Sequence, residues 1–186
     1  MKITYKNNAS YECRQAMMCQ LNELEMLRND LPRNHPDSAL LLNNIGYAYS
    51  ILGDQDKALM SLLGALEIRK VALLEMHPDT AIILNNIGCA YSQLDNHQQA
   101  LQYLLSALQI ERETLSENDL KIALSCNNIS YIYGVLGDHQ QKLKYKSEAL
   151  EIKQKTLSEA LFYEEKKEEG ISTYLSGETW PDIEAE

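Results

Sequence analysis

Three pairs of neighbouring asparagines stand in register along this chain, Asn43 and Asn44, Asn85 and Asn86, Asn127 and Asn128, each pair 42 residues after the one before. A side-chain amide offers two N–H donors and a carbonyl acceptor. A stacked series of such amides can hydrogen-bond the main chain of an extended peptide whatever its sequence. The pairs have an equally simple structural use, bonding between neighbouring units of a periodic fold, and their spacing alone leaves both uses open. A helical turn further on stand Tyr47, Cys89 and Tyr131, then Ser50, Ser92 and Gly134, so two aromatic positions flank a smaller centre with room for a bulky ligand side chain near Cys89.

Other residue types that carry chemistry are placed by repetition. His35 and His77 precede a proline at matching positions, and His97 and His139 fall in equivalent turns 42 residues apart. A metal needs ligands that converge on one point; a repeat spreads them along its length, so no metal site is expected. Cys13, Cys19, Cys89 and Cys126 lack the short paired spacings of a zinc site and read as reduced packing residues. No G-x-S-x-G, P-loop or H-E-x-x-H motif occurs. Those absences give no support for a catalytic residue, a cofactor or an enzyme.

The elements that must hold the asparagines follow from the same period. LNNIGYAY at 42–49 returns as LNNIGCAY at 84–91 and as CNNISYIY at 126–133. His35, Pro36 and Asp37 recur as His77, Pro78 and Asp79. Ala65, Leu66 and Ile68 recur as Ala107, Leu108 and Ile110, then as Ala149, Leu150 and Ile152. Apolar residues at helical spacing follow each HPD start, where the aspartate marks an N-cap region. LGDQ at 52–55 and LGDH at 136–139 give a glycine stop and a polar restart. Each unit is therefore helix, tight turn, helix, at 35–76, 77–118 and 119–160.

The pattern N-x-G-x-A-Y, then G-D, then A-L, then A-L-x-I resembles the tetratricopeptide repeat, and the 42-residue period with its HPD start resembles the long variety found in kinesin light chains. The resemblance covers roughly residues 10–155. It implies an all-α, right-handed superhelical solenoid of antiparallel helix pairs. It also implies that the first helix of each unit lines a concave groove, which places Asn43, Asn44, Tyr47, Asn85, Asn86, Cys89, Asn127, Asn128 and Tyr131 at the candidate partner-binding face. Some members clamp a C-terminal carboxylate with basic residues there; Lys121 is the sole basic residue on these first helices, so a clamp is not expected.

The ends of the array depart from the period. Residues 10–30 match a second helix, with Ala16, Met17, Leu24 and Met26 opposite Ala58, Leu59, Leu66 and Ile68, so 1–34 is read as a half-repeat and cap. Met17, Met18, Leu21 and Leu24 would then lie uncovered, which suggests self-association through this helix. In the third unit Ser130 replaces Gly46 and Gly88, and Lys142 replaces Ala58 and Ala100, a change expected to resist stacking of a further repeat. A capping helix is expected at 158–169, stopped near Gly170, within a terminal segment 161–186. The tail GETWPDIEAE sets Trp180 among acids, either as a short linear motif or as a solvated end.

At 45% hydrophobic residues, 186 residues suffice for one continuous core. The net charge of −10 lies largely in the tail, and no basic face exists to neutralise phosphates, so nucleic acid is not an expected partner. No apolar run spans a bilayer and the N-terminus lacks a signal peptide's apolar segment, which predicts a cytoplasmic chain without membrane insertion. The sequence thus predicts an interaction scaffold or adaptor that grips a peptide or helix of a protein partner. The alternatives are a regulator that changes shape on binding a peptide signal, or a homo-oligomeric structural module.

Overall fold

The computed structural model describes residues 2–31, 35–72 and 76–176. Among these the chain forms seven α-helices and no strand: α1 (Lys2–Asp30), α2 (Pro36–Leu52), α3 (Gln55–Val71), α4 (Pro78–Gln93), α5 (His97–Thr114), α6 (Leu120–Val135) and α7 (His139–Ser176). Helices α2 with α3, α4 with α5, and α6 with α7 pack as pairs, and each second helix also packs on the first helix of the next pair. The result is an all-α helical repeat solenoid, with α1 docked on α2 as α3 is on α4.

The helix starts differ in one detail from the sequence expectation. His35 and His77, not the aspartates, are the N-caps: each Nδ1 accepts from the N–H two residues on, that of Asp37 at 3.2 Å and of Asp79 at 3.1 Å. An imidazole nitrogen serves here as the acceptor that an Asx or serine oxygen usually supplies. In the third unit Asp119 takes over, accepting from Lys121 N–H at 2.8 Å. Asp54, Asn96 and Asp138 cap the second helices in the same register, accepting from the N–H groups of Lys57, Gln99 and Gln141. The residue before each of these caps has positive φ: Gly53 at 89°, Gly137 at 82°, and Asp95 at 57°.

Close packing inside each pair rests on a glycine facing a leucine. A Cβ on Gly46 would lie 2.6 Å from Leu62 Cγ, and one on Gly88 would lie 2.6 Å from Leu104 Cγ. Those leucines are fully buried. The third unit has Ser130 at the glycine position and Lys146 at the leucine position, and the two changes answer each other: with no leucine to collide with, the serine Cβ fits. Its hydroxyl donates to the carbonyl of Lys142 at 2.9 Å. The Lys142 stem lies over Gly134 in the same pair, and among the described residues no further repeat packs at this position.

Both ends differ from the expectation for a second reason. Of the four apolar residues of α1 thought to lie open, Leu21 is buried against Ile45 and Ala48 of α2, with Met17 and Leu24 packed beside it; Met18 remains exposed. Tyr49 Oη donates to Glu25 Oε1 at 2.7 Å, and that bond, with burial, pushes the phenol up to about 12. At the other end the separate capping helix is absent: α7 runs unbroken through Gly170 to Ser176. Residues 157–161, LSEAL, match the loop LSEND at 115–119, but Ala160 and Leu161 stand where Asn118 and Asp119 do. Without the aspartate cap nothing starts a new helix, so the old one continues. The tail around Trp180 lies outside the described residues.

Candidate functional site

Curvature decides which helices face inward. The first helices come close at the backbone across units, α2 to α4 and α4 to α6, whereas among the described residues the backbones of α3 and α5, and of α5 and α7, stay apart, the latter two joined only through side chains such as Arg112 and Glu148. An array whose first helices crowd together and whose second helices splay apart must curve with the first helices inside.

On that inner side the asparagines bond to one another. Asn86 Nδ2 donates to Asn43 Oδ1 at 2.9 Å, and Asn128 Nδ2 donates to Asn85 Oδ1 at 2.9 Å. Asn85 also donates to Ser125 Oγ at 2.5 Å. Asn43 and Asn85 are buried, so the first residue of each of these pairs is an acceptor for the second residue of the next. At the end of the ladder no further unit follows within the described residues, and Lys146 Nζ donates to Asn127 Oδ1 at 2.9 Å instead. Asn127 itself donates to the carbonyl of Ala123. A cation thus reaches the inner edge from α7, which the reading of the first helices alone did not find. Its signal was the lysine at 146, in register with Leu62 and Leu104.

Three of the nine candidate residues meet in one place. Cys89, Asn128 and Tyr131 line a cleft of about 400 Å³ between α4 and α6, with Ser92, Gln93 and Asp95 at its rim and Leu104 and Ile132 on its floor. Burial pushes the Cys89 thiol up, so it stays protonated, 3.7 Å from both Asn85 Oδ1 and Asn128 Nδ2. A protonated, half-buried thiol is a small apolar lining group and a weak donor, not a nucleophile. Tyr47 and Asn44 are exposed on α2, apart from this cleft. The candidate residues therefore divide into self-bonded amides, one cleft, and two open side chains.

A second cleft, of about 500 Å³, lies on the outer side between the splayed α3 and α5, over α4, lined among others by Leu66, Lys70, Met76, Leu84, Tyr103 and Ile110. Tyr103 stacks on Tyr91 there, ring centroids 5.5 Å apart. The sequence reading looked only for an inner groove. Among the described residues no three His, Cys, Asp or Glu side chains gather as a metal set. No helix among them is long and apolar enough to cross a membrane.

The tetratricopeptide repeat family model matches residues 37–113 and, one unit on, 79–155. This chain belongs to the tetratricopeptide repeat family. Such repeats are in general scaffolds for protein–protein interaction and typically not catalytic. No curated protein matches the chain. Among solved structures it is similar to BtubC (BKLC) from P. vanneervenii, at 23% identity and a TM-score of 0.69, over 79% of this chain and 58% of that one. It is also similar to a kinesin light chain with nearly identical TPR-like repeats from Podosopora anserina, at 19% identity and a TM-score of 0.67, over 83% of this chain and 76% of that one. The apo form of RapI superposes with a TM-score of 0.67 at 19% identity, over 78% of this chain and 40% of that one. At these identities the likeness is one of fold. This tetratricopeptide chain spans a little over half the length of BtubC.

Proposed function

We propose that this tetratricopeptide chain holds an extended segment of a protein partner along the inner face of α2, α4 and α6, with one bulky apolar or aromatic side chain seated in the cleft beside Cys89. The observation that carries this reading is the meeting of Cys89, Asn128 and Tyr131 around an apolar floor of Leu104 and Ile132. The cleft is within the range of about 300–1,000 Å³ in which small-molecule ligands are held, so it has room for a bulky side chain. Tyr131 supplies a large rigid face with a polar end, a residue type that concentrates binding energy at interfaces. Tyr47, two units away on the same register, extends the contact along α2, and Asn44 beside it offers an unburied amide to the ligand's main chain.

The asparagine ladder has a positioning part in this reading. Its bonds fix the separation of α2, α4 and α6, and so the width of the cleft, while Asn128 also forms one wall. Tyr131→Ala tests the assignment. Peptides enriched from a displayed random library on the immobilised chain should carry a large apolar residue and lose at least tenfold in affinity for the variant. Enriched peptides that bind both forms equally would place the contact elsewhere.

A further inference from the structure

The first helices carry no charge between Asp37 and Leu52, between Asp79 and Leu94, or after Lys121 in α6. At the far end of this neutral inner face the cations come from α7. Lys142 and Lys146 lie one helical turn apart and exposed, in register with the buried Ala100 and Leu104 of the unit before. Lys146 Nζ donates to Asn127 Oδ1 at 2.9 Å, in the place where Asn128 donates to Asn85 one unit earlier. The Lys142 stem lies beside Gly134, its Cδ 3.1 Å from where a Cβ would stand. Tyr131 and Gly134 are the register equivalents of Cys89 and Ser92 at the inner cleft, so the two ammonium groups border the surface that follows the cleft along the inner face. Neither lysine has a carboxylate partner, since the lysine ion pairs among the described residues are those of Lys57, Lys70 and Lys155. The neighbouring acids of this stretch are engaged elsewhere, Asp138 at the start of α7 and Glu148 with Arg112.

We infer that Lys142 and Lys146 read an acidic side chain of the partner, an aspartate or glutamate close in sequence to the bulky residue held beside Cys89. The inference rests on the proposed reading of that cleft and names the chemistry of the ligand's next contact. Neighbouring helices pack roughly 8–10 Å apart and an extended chain advances about 3.3 Å per residue, so the acid stands about three residues from the anchored side chain. It must lie on the α7 side. Asp95, whose side chain is 96% exposed, stands on the α4 side of the cleft and repels a carboxylate there. One exposed ion pair contributes little by itself. Two ammonium groups beside a cleft that already fixes the ligand's register act chiefly on selectivity, favouring acidic over neutral or basic segments.

Peptides selected on the immobilised chain from a displayed random library, then synthesised with an amidated C-terminus, test this. Those whose binding needs Tyr131 should carry Asp or Glu about three residues to one side of the bulky residue. The double variant Lys142→Glu, Lys146→Glu should bind them at least tenfold more weakly, with an unchanged circular dichroism spectrum. Replacing the peptide's acid by lysine should restore binding to that variant and weaken it for wild type, an exchange that a merely structural pair of lysines would not give. Lys146→Gln alone, the milder change, should weaken binding of the acidic peptides about threefold. Tyr131-dependent peptides that are neutral at that place, or that both forms hold equally, overturn the inference and leave the cleft reading standing. So does an acidic peptide that binds only with its C-terminal carboxylate free. A library that yields no Tyr131-dependent peptide overturns both.

Discussion

Asn128 donates its amide N–H to Asn85 Oδ1 across 2.9 Å, binding α6 to α4, and Asn86 repeats the contact to Asn43 on α2. The doubled asparagine is thus two positions with two tasks. Asn43 and Asn85, first of their pairs, are buried and accept; Asn86 and Asn128, second of theirs, are half-buried and reach back to the unit before. Of the six only Asn44 lies exposed, because the helix before α2 is α1, which carries no asparagine in register with it. The ladder spaces the inner helices, and the cleft beside Cys89 is the gap that results.

Removing a rung should loosen the array. Asn86→Ala leaves Asn43 Oδ1 without its donor and is expected to cost about 1 kcal/mol. Asn44→Ala, exposed, should stay within about 0.5 kcal/mol of wild type. Urea unfolding followed by circular dichroism measures both.

Gly88→Ala is expected to destabilise by about 1–3 kcal/mol, since its Cβ would press on the buried Leu104 and on the carbonyl of Ala100. Gly134→Ala meets only the flexible Lys142 stem, at 3.1 Å, and should be tolerated within about 0.5 kcal/mol. A similar fall in melting temperature for both variants would contradict the glycine–leucine account of pair packing.

Asp95 holds a left-handed backbone that glycine takes in the other two units. Asp95→Gly should therefore raise stability by about 0.5 kcal/mol, and Gly53→Ala should lower it by about 1 kcal/mol. Differential scanning calorimetry checks the two signs.

Glu111 is buried, and its Oε2 has no hydrogen-bond partner. Burial pushes its carboxyl up, partly offset by the hydrogen bond with Ser125. A carboxyl whose folded pKa is raised favours the folded state at low pH. Its penalty is absent below the ordinary carboxylate value, grows as pH rises through the raised folded value, and is complete above it. Glu111→Gln removes that charge. The variant should melt a few degrees above wild type at pH 7, and the gap should close as pH falls below the ordinary carboxylate value. A gap that widens on acidification would contradict the sign.

The period made most of the fold legible. Helix pairs, turns and the small residues between paired helices all follow from residues that recur every 42 positions. Histidine capping was harder to read, because Asp37 and Asp79 are the better-known cap formers and the imidazole acceptor depends on a turn geometry only coordinates show. The length of α7 was written in Ala160 and Leu161, where a cap is missing, but an absent signal is seen only by aligning the loop that has it. Which asparagine of a pair is buried turns on a rotation of about 100° between successive helix positions. Spacing says that the two differ in facing, not which way each points.

The central claim is that a ligand lies on the inner face, and hydrogen exchange with a selected peptide bound tests it most directly. Amides of 85–93 and 127–135, the inner stretches of α4 and α6 around Cys89 and Tyr131, should slow on binding while those of α3 and α5 stay unchanged. Protection confined to 66–70 and 99–110, along the outer cleft beside Tyr103, would contradict it.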